Sequence, residues 1–194
     1  MTPEKRQPAH APLPGHGTAP SDSYDSIPTT GVSYEDWLAQ VAPPFRAGIG
    51  AQAEMVMFGH LAYSAVVTRP ASLSPAWHDI LRMELGFEGV TITDDMLMLA
   101  HTGLAEFANP TENAIAALAA GNTMLLYVLP ANPAADGIDI AGLVGNIVAA
   151  VDSGRLSTAQ IDEDVYRLLM LRRTISGRID WFAVCGADCE GALR

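Results

Sequence analysis

The sequence has few basic residues, few cysteines and no long apolar run, and each shortage excludes a class of protein. Lys and Arg together number 11 against 22 Asp and Glu, which gives a formal net charge of −11 over 194 residues. A chain this acidic is a poor match for the phosphates of nucleic acids or for anionic membrane surfaces. The two cysteines, Cys185 and Cys189, are too few for a disulfide framework and lack the second pair that a structural zinc site needs.

Targeting and membrane signals are also missing from the sequence. No apolar segment is long enough to span a bilayer, and the first residues lack the apolar stretch of a secretory signal peptide. Hydrophobic residues make up 49% of the chain, which is enough to build a sizeable core. We therefore expect a globular, cytoplasmic protein whose partners include neither nucleic acid nor membrane.

Composition divides the chain into three segments. Residues 1–33 are rich in Pro, Gly, Ser and Thr, which predicts a loop-rich N-terminal segment. Residues 34–177 alternate helical and strand patterns and predict the folded domain. Residues 178–194 match no pattern and form a tail without a predicted role.

Three short apolar runs, the first of them Met55–Phe58, predict buried strands. Their matching positions, Val56, Val90 and Met124, recur at 34-residue intervals with a helical pattern in each interval. This alternation is typical of an α/β fold with parallel strands, either a doubly wound sheet or a (β/α)8 barrel. No glycine-rich phosphate-binding motif follows any of these strands, so we expect no nucleotide cofactor. Helices are predicted at about 33–49, 74–85, 110–120, 140–151 and 157–171. Ser33 is the predicted N-cap of the first helix, Pro43-Pro44 should break or kink it, and Gly121 should end the third.

The C-terminal ends of the strands are where parallel α/β folds carry chemistry. His60 follows the first strand and Asp94 the second, again 34 residues apart, so both are predicted to project from the same rim. One of the adjacent carboxylates Asp94 and Asp95 could point into a cleft as a nucleophile or metal ligand. Alternatively, one of them caps the next helix and the other is solvated. A lone histidine such as His60 is more often structural than catalytic, and Met98 fits a packing role.

Four segments, in order, resemble one known family. They are Pro14-Gly15-His16-Gly17, the R-P-A-S-L-S of residues 69–74, the G-F-E-G-V-T-I-T-D-D-M-L-M of residues 86–98, and the A-A-L-A-A-G-N-T-M-L-L of residues 116–126. This set resembles glycoside hydrolase family 3, most closely its β-N-acetylhexosaminidase branch, from about Pro14 to about Gly177. The resemblance implies a partial (β/α)8 barrel with about half of the strands present, counting a degraded strand before Pro14.

The resemblance also implies a retaining glycosidase that acts on terminal N-acetylglucosaminides of peptidoglycan-derived or chitin-like sugars, without a metal or other cofactor. Asp94 matches the carboxylate nucleophile. The family's acid/base is a histidine held by an aspartate in a D-S-H motif, and the matching residues here are Asp22, Ser23 and Tyr24. The candidate catalytic residues are therefore Asp94, Asp22 and Tyr24. The candidate substrate-binding residues are His16, His60, Arg69 and Met98.

Three departures from the family pattern leave other interpretations open. Tyr24 replaces a histidine, and a phenol with a pKa near 10 is a poor general base at neutral pH. Ala11-Pro12 stands where the family has a Lys-His pair, and the expected strands are about half of a barrel's eight. The first alternative is a fragment or non-catalytic half-barrel that binds or scaffolds, with its open sheet edges covered by a partner or by self-association. The second is an unrelated α/β hydrolase that uses Asp94 and Asp95 as metal ligands.

Overall fold

The computed structural model describes residues 12–17, 19, 26–136 and 138–176. Its strands are β1 Thr29–Thr30, β2 Met55–Phe58, β3 Ala62–Tyr63, β4 Val90–Asp95 and β5 Met124–Leu126. Its α-helices are α1 Tyr34–Asp36, α2 Ala42–Gly50, α3 Pro75–Asp79, α4 Leu97–His101, α5 Pro110–Ala120, α6 Ile140–Asp152 and α7 Thr158–Ser176. Wider π-helical turns, Trp37–Val41 and Ile80–Glu84, extend α1 and α3, and short 3-10 turns lie at Ala71–Leu73, Ala105–Phe107 and Pro133–Asp136.

The central sheet is parallel and has the order β2-β4-β5, while β1 and β3 form a separate parallel pair. Leu13 adds a fourth parallel segment beside β2: its N–H donates to Met57 O at 2.8 Å, and its own O accepts from Gly59 N–H at 2.9 Å. Helices connect these strands, as parallel neighbours require. The predicted α/β class and the degraded strand before Pro14 are therefore confirmed.

The register between the strands differs from the 34-residue spacing. Val56 lies opposite Thr91 rather than Val90, and Met124 lies opposite Ile92. The β4–β5 register also shifts between Ile92 and Asp95. Neighbouring strands in a curving parallel sheet are staggered along one another, so equal sequence intervals do not give equal heights. The strand spacing was correct for topology and wrong for register.

Local sequence signals account for the helix boundaries. The Ser33 hydroxyl accepts from Asp36 N–H, as the predicted N-cap requires. Pro43 and Pro44 do not break the helix, since they lie in the first turn of α2, where a missing N–H costs nothing. Gly121 ends α5 at φ 114°, a left-handed conformation that favours glycine.

The main core lies between the sheet and the helices that follow its first strands. Trp37 and Trp77 are fully buried and pack edge to face, with their ring centroids 4.8 Å apart. Trp37 Nε1–H donates to Pro14 O at 2.8 Å, and Leu13 is buried in the same cluster. The predicted loop-rich segment 1–33 thus contributes Leu13 to the sheet and core. The predicted tail 178–194 lies outside the described residues.

The last two helices present apolar side chains to solvent. Ile140, Val144 and Val148 form a stripe at every fourth residue of α6 and are 36%, 55% and 54% exposed. Val165 and Leu169 are similarly exposed on α7. Among the described helices, none combines the length and apolar character needed to cross a membrane.

Candidate functional site

Asp94 lies near the C-terminal end of β4 and is partly buried. Alternation along the strand puts its side chain on the same sheet face as Val90 and Ile92. Its Oδ1 accepts from Asp95 N–H at 2.9 Å, which fixes the carboxylate relative to the backbone. The carboxylate therefore combines a fixed orientation with access to solvent, as attack on a substrate requires.

Asp95 has a different task. Its Oδ1 accepts from Leu97 N–H and from Val128 N–H, each at 3.1 Å. One bond holds the start of α4 and the other holds the chain leaving β5. The capping interpretation of the acidic pair therefore applies to Asp95, and Asp94 keeps the candidate nucleophile role.

His60 lies inside the protein rather than on the rim. Its side chain is 1% exposed, with Nδ1 2.6 Å from Ser72 Oγ and Nε2 3.0 Å from Asp95 O. Burial lowers its pKa below the usual value, outweighing the opposing effects of the Asp95 backbone and of both carboxylates. The expectation that His60 binds substrate is a poor fit to this geometry, because both ring nitrogens already contact protein groups. The staggered register is the cause, since it sets His60 level with Asp95.

A small polar network surrounds His60. Ser72 O accepts from Asn122 Nδ2–H at 2.7 Å, and Ser72 N–H donates to Gly59 O at 3.1 Å. This network joins the segments that follow β2 and precede β5 to the end of β4. Sequence reasoning did not single out Ser72 and Asn122 as site residues, although both lie in segments that carried the family resemblance.

Arg69 and His16 are accessible, as ligands must be. Arg69 is exposed and lines a cavity of about 670 Å³ together with Ser26, Thr29 and Glu106. Asp94 is not part of that lining. His16 is partly exposed in the turn that follows Leu13. Their predicted substrate-binding roles stay predictions.

The remaining candidates divide between core and undescribed chain. Met98 is 2% exposed, which supports its packing role rather than contact with a sugar. Asp22 and Tyr24 lie outside the described residues, so their predicted catalytic roles have no geometry here.

A second cleft lies beside the C-terminal end of β4. It has a volume of about 770 Å³ and is lined by Asp95, Leu97, Tyr127, Ile138 and Leu143, among others. Burial and the nearby Asp95 carboxylate raise the pKa of Tyr127 to about 12, so its phenol is neutral at physiological pH. Within the described ranges, no group of three His, Cys, Asp or Glu side chains is arranged to hold a metal ion.

Comparison with known proteins identifies the family. The sequence model described as the glycosyl hydrolase family 3 N-terminal domain matches residues 10–171. Because the match covers most of the chain, this protein belongs to glycosyl hydrolase family 3.

Curated relatives named beta-hexosaminidase match parts of the chain. The protein of Stenotrophomonas maltophilia (strain R551-3) is 44% identical over 89 residues, covering 45% of this chain and 27% of the relative. That of Nitrosomonas eutropha is 31% identical over 160 residues, covering 82% of this chain and 44% of the relative. The chain thus spans less than half the length of these relatives.

Solved structures agree with the fold. A glycoside hydrolase family 3 beta-N-acetylglucosaminidase from Paenibacillus sp. str. FPU-7 superposes with a TM-score of 0.71 at 31% identity, covering 86% of this chain and 31% of the other. A family member from Mycobacterium smegmatis gives 0.67 at 28% identity, covering 80% and 47%. The predicted class, a partial TIM-barrel-like α/β domain with parallel strands, is confirmed.

Proposed function

We propose that this chain carries the nucleophile of a retaining β-N-acetylhexosaminidase-type glycosidase, and that Asp94 attacks the anomeric carbon of a terminal N-acetylglucosaminide. The position of Asp94 carries the proposal: a partly buried carboxylate at the C-terminal end of a parallel strand, held through one oxygen by Asp95 N–H. The names of the relatives support the sugar, and peptidoglycan-derived oligosaccharides are the proposed natural source.

In this mechanism the Asp94 carboxylate bonds to the anomeric carbon as the leaving oxygen departs. The carboxylate stabilises the positive charge that develops on the sugar ring. Water then attacks the glycosyl-enzyme and releases Asp94, so that two inversions give net retention. Asp95 contributes by holding the strand end while its own carboxylate stays bonded to Leu97 and Val128 N–H groups.

Protonation of the leaving oxygen is the weak step, because Tyr24 stands where the family resemblance expects a histidine. A phenol can donate a hydrogen bond to this oxygen but is a poor general base for the water step. The rate is therefore expected to depend on the acidity of the leaving group. An aryl glycoside with an acidic phenol needs little protonation, whereas an alkyl or sugar aglycone needs it fully.

The experiment uses the 194-residue protein with 4-nitrophenyl N-acetyl-β-glucosaminide and a fluorinated N-acetylglucosaminyl donor whose glycosyl-enzyme hydrolyses slowly. We expect slow turnover, abolished in Asp94→Asn, and a covalent adduct that peptide mass spectrometry locates at Asp94. Tyr24→His should raise turnover of poor leaving groups, and Tyr24→Phe is its matched control. Turnover equal in the wild type and Asp94→Asn would reject the proposal.

A second function, a non-catalytic half-barrel that associates with another chain, is favoured by the exposed stripe on α6. Ile140, Val144 and Val148 would be covered if this face packed against another copy or a partner. We expect light scattering to detect a dimer or larger species, weakened by Val144→Asp. Asn146→Asp, on the same helix but outside the stripe, is the control. A stable folded monomer would contradict this second function.

A further inference from the structure

We propose that His60 is a positioning residue for the candidate nucleophile: its neutral ring, anchored by Ser72, donates from Nε2–H to the carbonyl of Asp95. It thereby fixes the end of β4 that carries Asp94. This rests on the proposed function, since it concerns the carboxylate assigned there as nucleophile.

The tautomer follows from the partners of the ring. Asp95 O can only accept, so the 3.0 Å contact requires a proton on Nε2. Burial lowers the pKa of His60, which keeps the ring uncharged and leaves Nδ1 without a proton. Nδ1 is then an acceptor, and Ser72 Oγ–H, at 2.6 Å, is its donor. The hydrogen bonds therefore run in one direction, from Ser72 through His60 to Asp95.

Ser72, where this chain of hydrogen bonds begins, is held in place by its own backbone bonds. Ser72 is fully buried, and both of its backbone polar groups are occupied, N–H by Gly59 O and C=O by Asn122 Nδ2–H. A hydroxyl held in this way sets the plane of the His60 ring. The ring in turn has one direction in which to donate.

The chain of hydrogen bonds ends at Asp95, which also orients the Asp94 carboxylate. Asp95 donates its N–H to Asp94 Oδ1, while its C=O accepts from His60 and its side chain accepts from Leu97 and Val128 N–H groups. Loss of the His60 bond removes one attachment of the Asp95–Met96 peptide, whose N–H still donates to Leu126 O at 2.9 Å, and so allows Asp95 to shift. A nucleophile displaced by about 1 Å can lose on the order of 100-fold in rate.

The chain supplies a matched control in His78. It is also buried, its Nδ1 lies 2.9 Å from Ser74 O, its ring stacks on Phe58 and its side chain interacts with Asn122. Among the described residues, its ring contacts do not include Asp94 or Asp95. Replacement of either histidine removes a similar buried ring. Only replacement of His60 removes the bond to the nucleophile strand.

The first test is NMR of the folded protein, which needs no turnover. Ring ¹⁵N spectra are expected to show His60 protonated at Nε2 alone. The Asp95 amide proton resonance should shift in His60→Leu and in the milder Ser72→Ala but stay unchanged in His78→Leu. A His60 ring protonated at Nδ1 or at both nitrogens would overturn the proposal. So would an Asp95 amide resonance that stays unchanged in both His60→Leu and Ser72→Ala.

The second test is kinetic. For folded protein, His60→Leu is expected to lower kcat roughly 10- to 100-fold with KM changed less than about twofold, and His60→Gln, which retains a donor, should recover most of the loss. An equal loss in His78→Leu would reduce His60 to a structural residue. If the wild type shows no turnover while the NMR results hold, the proposed function fails and the positioning of Asp94 stands.

Discussion

The two ends of strand β4 use their polar groups in opposite ways. At the N-terminal end, Arg82 Nη1–H groups donate to Phe87 O and Gly89 O at 2.9 and 2.7 Å, and Val90 N–H donates to Glu54 O at 3.0 Å. At the C-terminal end, Asp94 makes its hydrogen bond to the neighbouring amide and keeps part of its surface accessible. The polar groups of the N-terminal end are bonded to neighbouring segments. The C-terminal end presents the Asp94 carboxylate, which is oriented by one hydrogen bond and partly accessible.

The largest expected effect is at the N-terminal end. Arg82→Met should destabilise the fold by about 3 kcal/mol, because Phe87 O and Gly89 O lose a charged donor and the guanidinium no longer stacks on Phe87. Urea unfolding is the measurement. Arg173→Met, on an exposed side chain of α7, is the control and should change stability little. Equal losses of unfolding free energy in the two variants would show that the Arg82 bonds do not stabilise the N-terminal end of β4.

Acid is expected to destabilise the fold by protonating the buried histidines. Burial lowers the pKa of His78 to about 4 from its usual 6.5. A lowered folded pKa means that this stability is complete above pH 6.5 and is lost as pH falls from 6.5 toward 4. At 1.36 kcal/mol per unit, His78 alone accounts for about 3 kcal/mol. The lowered pKa of His60 acts in the same direction.

Unfolding free energies of the wild type at pH 7 and pH 4.5 check the acid effect. His78→Gln removes the titrating group and should shrink the difference between the two pH values. Asp164 acts in the opposite direction, since burial raises its pKa, so Asp164→Asn should enlarge the difference. A stability of Asp164→Asn that does not change over this range would show that the buried histidines are not neutral.

Adjacent residues at the C-terminal end should separate stability from chemistry. Asp95→Ala removes the acceptor of two backbone N–H groups and should cost about 2 kcal/mol. Asp94→Ala, measured by the same thermal and urea unfolding, should cost less than about 0.5 kcal/mol. If Asp94 proves as costly to remove as Asp95, it is a structural residue and the contrast fails.

The smallest effect is expected where β5 meets α7. Thr123 Oγ1–H donates to Asp164 Oδ1 at 3.0 Å, and Thr123→Val keeps the shape while removing that donor. A loss of about 1 kcal/mol in urea unfolding is expected. Thr174→Val is the control, because the Thr174 hydroxyl donates to Met170 O within α7. A larger loss of unfolding free energy in the control would show that the Thr123–Asp164 bond does not link the sheet to α7.

Local signals predicted much of the fold. The Ser33 cap, the apolar run at Met55–Phe58 and the glycine that ends α5 at Gly121 each depend on a few neighbouring residues, and each lies where predicted. The short strands β1 and β3 were not predicted. Two residues are too few to carry a period, and these strands exist because Thr29 and Ala62 meet across the chain.

The sequence predicted the position of Asp94 at a strand end but not the surroundings of His60. The motif around Asp94 and its place after an apolar strand gave the candidate nucleophile. His60 was expected to share its rim at a 34-residue interval, but the sheet stagger sets it beside Asp95 with both nitrogens occupied. Side-chain access depends on that stagger, which no local pattern encodes.

By themselves, the ordered sequence motifs determined the family and the alternation of strands and helices. Tertiary structure alone decided that Asp95, rather than Asp94, accepts from two backbone N–H groups, that His60 is buried, and that Ser72 contacts its ring. The reason is that helices and strands follow from short-range periodicity and backbone preference, whereas register and burial follow from contacts between residues far apart in the chain.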